Sequence, residues 1–246
     1  MILYYISLGL NYRDYITKDN ELRFEFQKKT SFINDYFSKK VRKLKFQTDG
    51  TFNMISISVS EFEFNSVNYV PLNVLEVNIE FDRSKYESIK NSLDCSYYLE
   101  ILEQGFKKAS EIKSIPLNEL LELIEEFKND GYKNKWTHKK KHFKNEDLEI
   151  ILNCEYTSLY FELTISINQI SKKKKLLSGV IIRTEVGVSI HEGMYKDIII
   201  QDNHIIITDK TDKSRVLINK LKVYNGVLDF KIMGDEEIVK ILSYQM

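Results

Sequence analysis

Only two prolines and nine glycines interrupt 246 residues. That scarcity excludes long loops and low-complexity linkers and places most of the chain in regular elements. Cysteine is almost as rare. Cys95 and Cys154 stand far apart, and neither belongs to a CxxC or Cys/His ligand spacing. A disulfide scaffold is therefore excluded, and two buried, reduced thiols in a reducing compartment are expected. No apolar run approaches the ~18 residues that a transmembrane helix needs. Met1–Leu10 is apolar but has no basic n-region and no small-residue cleavage site, so it reads as a strand rather than a signal peptide. A cytoplasmic protein with no membrane partner is expected. Net charge is lacking as well, with 36 basic and 36 acidic side chains, which removes the field that would draw the whole molecule onto nucleic acid. There is no P-loop, dinucleotide fingerprint, HExxH or EF-hand. Ser189-x-His191 lacks a GxSxG elbow and an orienting carboxylate, and the pairs Glu61/Glu63 and Glu76/Glu80 fall on outward strand positions. The reading leans away from an enzyme, and no cofactor is expected.

What is present is globular in kind, 43% hydrophobic and 29% charged. Ala109 is the sole alanine and arginine is confined to six positions, against abundant Lys, Ile, Asn, Tyr and Phe. Such usage points to an AT-rich coding sequence, most simply that of a low-GC bacterium. Apolar and polar residues alternate at Leu22, Phe24 and Phe26, and again at Leu75, Val77, Ile79 and Phe81, which predicts strands. Asp49-Gly50 reads as a hairpin turn between 41–47 and 52–60. Helical spacing follows over 83–130, ending in a stripe of Leu117, Leu120, Leu121, Ile124 and Phe127 after Pro116, with Gly131 placed to stop it. From residue 148 the pattern is again that of strands. Hairpin signals at Asp202-Asn203 and Asn225-Gly226 join neighbours into a meander, and a last helix covers 236–242. The class is α+β: antiparallel sheets with a central helical segment, and a mostly-β second half with a C-terminal helix. The expected parts are 1–114 and 115–246. The chain is slightly acidic up to Tyr132 and correspondingly basic after it.

The most unusual stretch is KNKWTHKKKHFK, Lys133–Lys144. As a strand it sets Trp136, His138, Lys140 and His142 on one face and Lys139 and Lys141 on the other. Lysines beside an aromatic are what single-stranded nucleic-acid binding uses. The competing reading, and the favoured one, is an edge strand whose lysines block aggregation, with Trp136 in the core. His138 and His142 have HxxxH spacing. On a strand they lie ~13 Å apart, too far for one metal ion, so no metal is expected. Lys172–Lys175 reads as a solvated hairpin loop.

In composition, and over the stretch from Tyr97 through Lys133–Lys144 to Tyr160, the chain resembles the immunity proteins of bacterial toxin systems, which bind and block one toxin in the cytoplasm. The resemblance implies a stoichiometric protein-binding inhibitor whose partner is another protein, and it assigns no residue. A nucleic-acid-associated protein using Trp136, His138, Lys139, Lys140, Lys141 and His142 is the alternative. A hydrolase with a site assembled across the two parts comes third.

Overall fold

The computed structural model describes residues 1–62, 73–187 and 191–243. Glu63 and Ser189, considered above, lie outside them. The chain divides into two units, residues 1–134 with Thr157–Leu159, and residues 135–156 with 160–246.

The first unit runs β1 (Tyr5–Leu10), α1 (Tyr12–Lys18), α2 (Asn20–Leu44), β2 (Met54–Ser60), β3 (Val74–Glu80), α3 (Arg83–Ile89), α4 (Ser96–Ile112) and α5 (Leu117–Asn129). Its sheet has the order β1-β2-β3, and both pairings are parallel. The strand expected at Leu22–Phe26 is instead the start of α2. Leu22, Phe26, Thr30, Ile33, Phe37 and Val41 are buried at helical spacing, whereas Phe24 is exposed. The hairpin at Asp49-Gly50 is likewise absent. Gly50 does turn, with φ +90°, but it follows a helix, and β2 pairs with β1 in the direction that a helical crossover imposes. A helix-rich α1–α2 segment therefore adds to the helix expected over 83–130.

Asn11 caps α1 by accepting from the Arg13 and Asp14 amides, and Asp19 caps α2 through Leu22; such caps typically contribute about 1 kcal/mol each. The sheet's Ile55, Ile57 and Val59 are fully buried. An added Cβ at Gly105 of α4 would lie 2.6 Å from Ile57, so glycine there sets how closely helix and sheet pack. Rings of α2, α3 and α4 interlock around Phe26, whose centroid is 5.3 Å from Tyr86 and 5.8 Å from Tyr98. The Pro116 helix belongs to this unit: α5 packs on α4 and α2 through Phe127, 4.5 Å from Tyr36.

Along the outer edge of β1 lies an unusual seam. Ser38 of α2 accepts from the Ile6 amide and donates to the Ile6 carbonyl. Asn34 accepts from the Leu8 amide at 2.8 Å and donates to the Leu8 carbonyl, which Thr30 also meets. Thr30, Asn34 and Ser38 are spaced four apart, hence on one helix face. The helix thus takes the place of a missing strand and satisfies main-chain groups that would otherwise be orphaned.

The second unit contains two antiparallel four-stranded sheets. One is ordered β4-β5-β6-β7, from β4 (Asn134–Phe143), β5 (Leu148–Tyr156), β6 (Tyr160–Gln169) and β7 (Lys174–Glu185). After the short helix α6 (His191–Met194) come β8 (Asp197–Gln201), β9 (His204–Thr208), β10 (Ser214–Asn219), helix α7 (Lys220–Val223), β11 (Phe230–Ile232) and α8 (Glu236–Leu242). These strands form a sheet ordered β11-β10-β9-β8. The meander and the Asp202-Asn203 hairpin are as the pattern predicts. The Asn225-Gly226 hairpin is not formed. Leu221–Val223 is helical, so the turn at Gly226 (φ +74°) closes α7, and β11 pairs with β10 across it. Lys172–Lys175 form the exposed β6–β7 hairpin, with Lys173 at φ 47°.

Candidate binding surfaces

The basic strand β4 lies at the edge of its sheet, as the favoured reading of its lysines requires. Its cations are not left to a ligand. Lys135 pairs with Glu155, Lys139 and Lys141 both with Asp197, and Lys140 with Glu149, at 2.7–3.3 Å. His142 meets the same Glu149 oxygen as Lys140, at 2.7 Å. His138 turns elsewhere, its Nε2–H donating to the Tyr195 carbonyl at 2.6 Å. The six candidate residues are thus split among Asp197, Glu149, Tyr195 and, for Trp136, Phe161, rather than gathered into one site. Among the described residues no group of His, Cys, Asp and Glu could hold a metal ion.

The ion pairs leave their mark on the carboxylates. Glu149 is held down at about 2 by hydrogen bonds from Lys140, Asn168 and His142. Asp197 also drops to about 2, because Lys141, the Ile198 amide and Lys139 outweigh the opposing effect of its burial. Trp136 is half-buried, its ring 6.3 Å from Phe161. It is therefore neither the fully buried core residue expected nor a ring offered freely for stacking. It borders a shallow groove of about 530 Å³ between β4, β5 and β6. The carboxylates there are engaged, Glu162 by Arg183 and Glu155 by Tyr160 and Lys135.

A second surface emerges in the first unit. Tyr12 at the start of α1 is 59% exposed, and Phe24 on α2 is 50% exposed. Between them Arg23 lies 4.2 Å from the Phe24 ring centroid and 5.2 Å from that of Tyr12. Asn20 steadies the guanidinium by accepting from its Nε at 2.9 Å. Ile16, one turn beyond Tyr12, is also exposed. Near the other end of α2, Arg42 lies 5.0 Å from the exposed Tyr5 ring and donates to the Tyr4 carbonyl. The sequence signal for the first cluster was Tyr12-Arg13 and Arg23-Phe24. Assigning Phe24 to a strand's buried face concealed it.

No protein-family model matches the chain, and no curated protein or solved structure matches it either. Among the described residues no helix is long and apolar enough to cross a membrane.

Proposed function

We propose that this chain is a protein-binding module that blocks one partner stoichiometrically in a bacterial cytoplasm, in the manner of a toxin-system immunity protein. The observation that carries the reading is the exposed Tyr12–Arg23–Phe24 cluster. Tyr, Phe and Arg are enriched at protein interfaces, and their stacking keeps the arginine ordered before a partner arrives. The pairing of every lysine from Lys139 to Lys141 argues against the nucleic-acid alternative, since phosphates would have to displace carboxylates already in place.

The test is capture of the partner by the full chain in its own host, followed by titration of the purified pair. Tyr12→Ala and Phe24→Ala should each weaken binding by about 30-fold, the scale of an interface hot spot, while leaving the melting temperature nearly unchanged. Undiminished affinity in both variants would remove the cluster from the interface. A captured oligonucleotide with steep salt dependence would instead restore the nucleic-acid reading. A toxin gene directly upstream would support the inhibitor reading.

A further inference from the structure

In the second unit, β7 and β11 are the terminal strands of their two sheets, and among the described residues neither has a strand on its outer edge. Their chains touch at one end. Leu228, just before β11, sits so close to Gly179 of β7 that a Cβ there would lie 2.6 Å from its Cδ2. Beyond that contact a groove of about 630 Å³ opens, walled by Val180–Arg183 of β7 and Phe230–Ile232 of β11. Val239 and Leu242 of α8, with Ser243 after it and Glu162 of β6, complete its lining. Four consecutive residues of one strand and three of the other border it. The residues supplying an apolar interior are Val180, Ile182, Phe230, Ile232, Val239 and Leu242. Positive charge is supplied by Lys231, which is exposed on β11, and by Arg183, already held by Glu162 at 2.9 Å.

We propose that this groove is a strand-addition site for an extended segment of another polypeptide. The incoming strand would pair with the outer edge of β7, turn alternate apolar side chains toward Val239 and Leu242, and set acidic side chains beside Lys231. Main-chain hydrogen bonds would supply affinity, and the alternation of side chains would supply selectivity. At ~3.3 Å per residue the four-residue wall of β7 spans about 13 Å. The bulge that leaves Ile181 unpaired with β6 adds local twist within that stretch. The site is separate from the Tyr12–Arg23–Phe24 cluster and does not depend on it.

The probe is an acetylated, amidated peptide of alternating valine and glutamate, titrated into the intact isotope-labelled chain with amide shifts as the readout. Saturable shifts at Val180–Arg183, Lys231 and Ile232 are expected, and a fully N-methylated analogue of the same sequence should produce none. Lys231→Glu, a change on an exposed side chain, should weaken the glutamate peptide about tenfold and favour a valine–lysine counterpart. Absence of shifts at these amides would overturn the proposal. So would equal binding of the N-methylated peptide, which would mean that side chains alone are recognised. Saturation by decanoate where the peptide has no effect would assign the groove to a small amphiphile and also overturn it.

Discussion

Asp209 and Arg215 form a pair on which the second unit depends. Both are buried, at 4% and 8% exposure, and Asp209 Oδ2 accepts from Arg215 Nε at 2.8 Å and Nη2 at 2.6 Å. Its other oxygen accepts from the Thr211 amide and hydroxyl and from the Lys213 amide. These bonds outweigh the burial that opposes its charge and hold the carboxyl below the usual range. Asp209→Ala strands a buried guanidinium and three donors. A loss of about 3–5 kcal/mol in urea unfolding is expected. The exposed pairs behave differently. Lys139→Ala, Lys140→Ala and Lys141→Ala should each cost under ~1 kcal/mol, and titration of any of the three with a short single-stranded oligonucleotide at physiological salt should show no binding. Glu149 and Asp197 set an acid limit. Both bind protons more weakly folded than unfolded, so the stability they lend is complete above about pH 5 and is lost as pH falls through their folded values near 2. Thermal melts of the intact chain should be flat in this respect from about pH 8 to 5 and fall steadily below 4. Trp136, half-buried beside Phe161, should cost about 1–3 kcal/mol on change to Ala, less than a fully enclosed tryptophan.

Among the elements, α2 carries the sharpest expectation. Asn34→Ala removes the acceptor of the Leu8 amide and a donor to its carbonyl. Leaving such main-chain groups unmet should cost about 1–3 kcal/mol. Changing Thr30, Asn34 and Ser38 together should also free the β1 edge and make the protein associate through it, visible as concentration-dependent growth in light scattering. This helix was also the element least legible in the sequence. Over Leu22–Phe26 a period of two and a period of 3.6 agree at positions four apart, and only Phe24 distinguishes them. The longer window through Ile33, Phe37 and Val41 resolves the period. β3, α4, α5, β5, β6 and α8 were legible, because each pattern is long or bounded by its own stop signal. The turns at Gly50 and Gly226 were also legible as turns. What lay on either side was not, since a positive φ at glycine fits any tight turn: Gly226 closes α7, whereas Gly50 lies beyond α2, whose own left-handed cap is Lys45. The Lys133–Lys144 strand was legible, whereas the neutralisation of its lysines was not. Asp197 and Glu149 reach them only through sheet pairing and the packing of β8.

For the whole molecule, the two thiols report on separate regions. Cys95 lies in the first unit and Cys154 in the second; both are buried and neither is in a disulfide, and burial pushes the Cys95 thiol up to about 12. A thiol reagent should find neither in the native state and both under denaturing, non-reducing conditions. Labelling during a urea titration, read residue by residue by mass spectrometry, should show whether the units open together or in sequence. Within the first unit, the order of assembly depends on the seam between α2 and β1. Its hydrogen bonds join residues 26 and 32 positions apart, whereas β1 meets β2 only through Tyr5–Leu10 against Met54–Val59, across a longer stretch of chain. Closing the shorter loop costs less entropy, so the first strand is expected to acquire its helical neighbour before its sheet partner. On the ribosome it would be shielded before β2 has been made. In stopped-flow refolding, the loss caused by Asn34→Ala should accordingly appear mainly as slower folding rather than faster unfolding. A helix that stands in for a strand thereby becomes a chaperone built into the chain, guarding an edge during the interval when nothing else can.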